Sequence, residues 1–200
     1  MSQSSSTLPE VYVSVDVETA GPNPSQYSLL SIGACLVADR ERTFYAELKP
    51  VNDKYDPVAL SISGLSMEEL ARRGLAPPKA MAAFDEWLAS EVPSSHLPVF
   101  VAFNAPFDWM FVTDYFYRYL GRNPFGHAAL DIKALYMGMT GVPWARTTMR
   151  SIAPYYADHL ALSHHALHDA LDQADLFIRI LSDVHYRAQQ SQNAKRGGEE

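Results

Sequence analysis

The chain has 200 residues, 48% of them apolar and 20% charged, with a net charge of −7. That length suits one domain with a full hydrophobic core. No apolar run approaches the ~20 residues that span a bilayer, and the acidic balance argues against a general nucleic-acid coat, which would be basic overall.

Residues 1–8 read as a disordered lead-in without the basic and apolar regions of a signal peptide, residues 9–186 as one domain, and residues 187–200 as a polar disordered tail. Three strand-like segments come first, Val11 to Val17, Leu29 to Val37 and Thr43 to Leu48, and their order predicts an antiparallel meander. Short helices are predicted at Pro57 to Leu60 and Ser66 to Ala71, the second with a capping box from Ser66 and Glu69. A helix from Pro78 to Glu91 precedes an apolar strand at residues 97–103, expected inside the sheet. A helix from Pro106 to Leu120 follows, with Asn104 as its N-cap, then a short strand before Asp131 and two helices. The last helix is predicted from Ala166 to Arg187. Strands first, then strands alternating with helices, predict an α/β fold with a mixed sheet flanked by helices. The single cysteine, Cys35, lies in an apolar stretch and is expected as a buried thiol. It excludes an internal disulfide and a multi-cysteine zinc site, and these features favour the cytoplasm.

The stretch "VYVSVDVETAG" puts Asp16 and Glu18 on one face at the end of the first strand, since side chains at i and i+2 point the same way. Two carboxylates so close repel, and burying them is costly without a compensating charge. "NAPFD" puts Asp108 in the first turn of a helix at the same end of the sheet. "SHHALHDALDQAD" puts Asp169 in the first turn of the last helix, and His164 can join it from the preceding loop. His165 and His168 receive no role, and Asp172 and Asp175 read as a solvated face. A set of four carboxylates suits hard cations such as Mg²⁺ or Mn²⁺ rather than zinc. Two such ions ~4 Å apart clamp the attacking and leaving oxygens of a phosphoryl displacement.

In these three motifs, their order and their spacing, the chain resembles the DnaQ-like 3′–5′ exonucleases of the DEDDh subgroup, from about Val11 to Leu181. The resemblance implies a ribonuclease H-like fold and two divalent ions, Mg²⁺ or Mn²⁺, held by Asp16, Glu18, Asp108 and Asp169. It implies that His164 is the general base that takes a proton from the attacking water, a task that suits a histidine's ordinary pKa of ~6.5. Single-stranded DNA or RNA 3′ ends would be the substrate and nucleoside monophosphates the product. "SISGLS" is similar to the family's "IHGIT"-type segment, which makes Leu65 a wedge against the terminal bases, with Thr19 and Ala20 lining the terminal nucleotide. Ser63 and Phe103 depart from the family, each standing where histidine is usual. "DVETAG" and "RNPF" are more similar to ribonuclease T than to polymerase III epsilon-like proofreading subunits, which implies a homodimer with a basic patch.

The candidate patch runs from Arg118 to Arg150 and holds Arg118, Arg122, Lys133, Arg146 and Arg150 among interleaved aromatics. Two other readings stand beside the exonuclease. One is a catalytically idle copy of the fold that binds nucleic acid or a protein partner, and the other is an oligoribonuclease-like scavenger of short RNA. The clustered acids with a histidine favour chemistry over mere binding.

Overall fold

A computed structural model describes residues 8–156 and 163–196. The predicted meander forms: β1 (Glu10–Thr19) pairs antiparallel with β2 (Leu29–Leu36), and β2 with β3 (Thr43–Glu47). Two parallel strands extend the other side of β1, namely β4 (Leu97–Ala102) and β5 (Ala129–Asp131). The order β3-β2-β1-β4-β5 makes one mixed five-stranded sheet with β1 at its centre.

Helices cover both faces because the strands are apolar on both. The helices are α1 (Pro57–Ser63), α2 (Met67–Arg73), α3 (Pro77–Glu91), α4 (Ala105–Leu120), α5 (Ile132–Thr140), α6 (Met149–Tyr156) and α7 (Ala166–Arg196). Val13, Val15 and Val17 of β1 pack with Phe84 of α3 and Phe111 and Phe116 of α4. Cys35, Val101, Ile132, Ile152, Phe177 and Ile180 make the core of the opposite face, under α5, α6 and α7. Cys35 is fully buried, as expected, and burial pushes its thiol up to about 12. Among the described residues no helix is long and apolar enough to cross a membrane.

Several boundaries differ from the sequence reading. Ser66 does cap α2 through the Glu69 amide, at 3.3 Å. Asn104 precedes α4 in the left-handed region (φ 69°), and its side chain caps nothing. The carboxylate of Asp131 does that work instead, accepting from the amides of Asn104 (3.0 Å) and Ala105 (3.3 Å) while also capping α5 through Lys133 N. The polar tail expected from residue 187 is helical as far as Arg196, because α7 continues through a segment free of glycine and proline. The lead-in at residues 1–7 and the last residues, 197–200, lie outside the described residues.

Two close approaches set the relation of α7 to the sheet. Gly33 of β2 is the cross-strand neighbour of Asp16. A Cβ at Gly33 would sit 2.2 Å from the carbonyl carbon of Ala166 and 2.2 Å from the amide nitrogen of Leu167, so the start of α7 rests on bare strand backbone. On the next turns, Ala170 and Ala174 are fully buried, small enough to keep α7 close to β1 and β2.

Candidate functional site

Asp16 and Glu18 lie near the C-terminal end of β1 and open onto one cleft, together with Asp108, His164 and Asp169. The cleft holds about 200 Å³ and is also lined by Phe103, Asn104, Phe107 and Gln173. Each wall is a different motif. β1 and β4 pair only as far as Ser14 and Val101, and beyond that point the chain after β4 turns into α4. The amide of Val17 is thereby left without a strand partner on that side, and it donates to Asp108 Oδ1 at 3.1 Å. The helix start that carries Asp108 is thus tied to the strand that carries Asp16.

The third wall is the start of α7. His164 sits just before the helix with φ 53°, a left-handed conformation that is uncommon for a residue with a Cβ. Asp169 folds back over the loop and accepts from Ser163 N (2.8 Å), Ser163 Oγ (3.0 Å) and His164 N (3.1 Å). These bonds hold the turn in its strained form, and the spacing of five between His164 and Asp169 works because His164 is outside the helix. One ligand atom each from Glu18, His164 and Asp169 lies within 4.8 Å of the other two. His165 points away into a stack with Tyr45 (4.6 Å) and His168 (4.4 Å).

The charges are poorly compensated. Burial pushes the Asp16 carboxyl well above the carboxylate range, and the neighbouring charges of Asp108, Glu18 and Asp169 push it the same way. Burial raises Glu18 to about 7, with Asp169 adding to it. Asp108 rises to about 8, chiefly through burial, although backbone amides hold it down in part. Among the described residues no lysine or arginine makes an ion pair with any of these acids. Buried carboxylates crowded together without a cation, with oxygen as the main donor, fit hard divalent ions.

Three contributors escape a reading of the sequence. Gln173 donates from Nε2 to Asp16 Oδ1 at 2.6 Å and accepts from Phe103 N at 2.8 Å, so one amide joins the three walls. It sits four residues after Asp169, one turn along the same helix face, which is the only hint the sequence offers. Asp131 seats the start of α4, and Gly33 admits α7.

The substrate-side expectations divide. Leu65 is partly buried, packed with Tyr27, Leu60 and Met67 against Ala20, Leu30 and Leu70. Thr19 is nearly buried, and its hydroxyl donates to Gly21 O. Ala20 has no exposed surface; its amide donates to Ser28 O and its carbonyl accepts from Asp56 N, so, contrary to expectation, it offers no surface to a nucleotide. Ser63 ends α1 and bonds the amide of Leu65, and Phe103 lines the cleft. The basic patch is not continuous. Arg118 pairs with Asp114 (2.6 Å) and Arg122 with Asp85 (2.5 Å), at the last turn of α4 and beyond. At 1.5 Å per residue, that is roughly 15 Å or more along the helix from Asp108. "RNPF" is a structural turn there, with Asn123 bonded to Thr113 and Phe125 buried in the core.

The family model described as Exonuclease matches residues 13–177. The chain is 48% identical, over 84% of its length and 90% of the relative's, to the 3′-5′ DNA exonuclease Cap18 of Escherichia coli. Among solved structures, the nuclease domain of 3′hExo, a DEDDh family member bound to rAMP, aligns with a TM-score of 0.70 at 16% identity. That alignment covers 90% of this chain and 94% of the other. A zinc-bound complex of E. coli exonuclease I with single-stranded DNA aligns with a TM-score of 0.67 at 17% identity, over 87% of this chain and 41% of that one. These structural matches agree with the ribonuclease H-like fold expected from the motifs.

Proposed function

This chain belongs to the exonuclease family, and we propose that it removes nucleotides one at a time from the 3′ end of single-stranded DNA. The observation that carries this reading is the convergence of Asp16, Glu18, Asp108, His164 and Asp169 on one cleft, four acids and one histidine with no protein cation among the described residues to neutralise them. DNA is favoured over RNA by the relative at 48% identity, whose name specifies DNA. The exonuclease I complex, which holds a single strand, supports an unpaired substrate.

Asp16, Glu18, Asp108 and Asp169 would hold two divalent cations, Mg²⁺ or Mn²⁺. When bound, such ions neutralise the phosphate and ease ionisation of water. The chain's own groups do the rest. Gln173 and Val17 N fix the carboxylates of Asp16 and Asp108 before any ligand arrives. Glu18, which lines the cleft beside Asp16, would also meet the terminal 3′-hydroxyl. The His164 imidazole takes a proton from the attacking water. The water oxygen bonds to phosphorus, the bond from phosphorus to the upstream 3′-oxygen breaks, and that oxygen leaves protonated with the shortened strand. The released product is a nucleoside 5′-monophosphate. Leu65 and Thr19 border the terminal nucleotide.

The test is to incubate 5′-labelled single-stranded DNA and RNA of equal sequence with the protein and Mg²⁺, with EDTA as control. A ladder that shortens by one nucleotide at a time, faster on DNA and abolished by EDTA, is expected. Strands left intact with both Mg²⁺ and Mn²⁺ would overturn the reading.

A further inference from the structure

Beside the cleft, the segment after α5 carries a tryptophan unlike the other two. Trp87 and Trp109 pack against the core, whereas Trp144 is 50% exposed. Its ring lies under Lys133, whose ammonium is 4.4 Å from the ring centroid. The same ammonium donates to Asn104 Oδ1 at 3.1 Å, and Asn104 lines the cleft. Cleft wall, cation and indole are therefore consecutive neighbours. The turn is firmly seated, since the fully buried Thr147 donates from both its amide (3.0 Å) and its hydroxyl (2.8 Å) to the Trp144 carbonyl. Arg146 and Arg150 are exposed on the same segment and make no ion pair among the described residues, in contrast to Arg118 and Arg122.

We propose that Trp144 and Lys133 form a binding subsite for the strand beyond the first nucleoside upstream of the scissile bond, an unpaired nucleobase stacking on the indole and a backbone phosphate meeting the ammonium. The inference rests on the exonuclease reading above. An indole presents a π-face that any base can stack on, so the contact selects for an unpaired strand and not for a sequence. The ammonium holds the ring in place through a cation–π contact and supplies the charge that a phosphate backbone requires. The cost of leaving a tryptophan half exposed is then offset when a strand is bound.

The subsite is tested on the full chain with an oligodeoxythymidine several nucleotides long and with a dinucleotide. Trp144→Ala is expected to raise KM for the longer strand roughly 5- to 100-fold, the range of one base–aromatic stack. Its kcat stays unchanged, and so does its activity on the dinucleotide, which has one nucleoside upstream of the scissile bond and none beyond it. Trp144→Phe keeps most of the affinity. Lys133→Ala raises KM on the longer strand and lowers the salt dependence of binding by about one counterion. Binding is also read without turnover: in His164→Ala protein, the longer strand quenches tryptophan fluorescence, and adding Trp144→Phe removes the quench. An unchanged KM for Trp144→Ala on the longer strand, or an equal loss on the dinucleotide, overturns the proposal. Wild-type protein that leaves every strand intact overturns the exonuclease reading instead, and the fluorescence titration still decides the subsite.

Discussion

On the floor of the cleft, Asp16 is buried, bonded to Gln173 and crowded by three other acids. On the rim proposed to receive the strand, Trp144 is half exposed, and Leu65 follows α1, a helix that buries no residue of its own. The floor is over-determined. Strained backbone at His164 and Asn104, a shared amide at Gln173 and a three-bond cradle around Asp169 leave the carboxylates little freedom. The rim is seated on its own buried contacts but leaves more apolar surface open to solvent. Fixed charges that must wait in place belong on rigid elements, whereas the parts that receive a strand of any sequence need surface more than precision. The floor's arrangement costs folding stability, because it buries like charges, so substitutions there are expected to separate activity from stability.

Asp108→Asn gives the largest effect. It keeps an oxygen for the Val17 amide and removes the charge, so turnover is lost while the metal-free protein becomes more stable, by a few degrees in Tm at about 1 kcal/mol per 2–4 °C. The pH dependence of the wild type follows from the same groups. Glu18 at about 7 and Asp108 at about 8 hold protons in the folded state that the unfolded chain releases near its ordinary carboxylate values. Metal-free stability is therefore greatest below about pH 4 to 5 as far as these groups are concerned, and is lost as pH rises through about 7 and 8. Calorimetry across that range should show the decline, a shallower one in Asp108→Asn, and its reversal by saturating Mn²⁺. An increase in metal-free Tm with pH would break the contrast between floor and rim.

His164→Ala should lower kcat about 10²- to 10⁴-fold, as loss of a general base does, with strand binding retained. If His165→Ala is the more damaging change, the base is misassigned, since His165 stacks on Tyr45 and faces away. Gln173→Leu should weaken metal affinity or activity about 10- to 100-fold, the usual effect of removing the partner that orients a ligand. Titration calorimetry with Mn²⁺ separates the two. The smallest effect on activity is expected on the rim, where Leu65→Ala raises KM by about fivefold, near the lower end of one base contact, and lowers the Tm modestly through lost packing with Leu30 and Leu70.

That the four acids and His164 would share one cleft was legible in the sequence, because the acids stand at a strand end or in a first helical turn and His164 in the loop before one, and local pattern predicts those addresses well. The antiparallel meander and the mixed sheet were legible for the same reason. What was not legible depends on pairs far apart in the chain. Gln173 meets Asp16 across 157 positions, and its place one turn after Asp169 is too slight a signal to announce that pairing. Asp131 reads as an isolated acid among basic residues, yet it seats the start of α4. The basic patch misled in the opposite direction. Arg118 and Lys133 are near in sequence, but α4 carries one away from the cleft while its neighbouring strand returns the other to it.

Gly33 contributes no atom to the chemistry, and its consequence is metrological. The helix that carries Asp169 stands on the strand next to Asp16 with peptide against peptide, and the nearest approach leaves no room for even a methyl group. A separation set by two backbones has no rotamers to explore and no side-chain length to drift by mutation elsewhere. The gap between the first and third motifs is thus gauged by the thickness of the polypeptide itself. Lengthening Gly33 by one carbon would move the gauge, and the distances from Asp169 and His164 to the first motif would move with it.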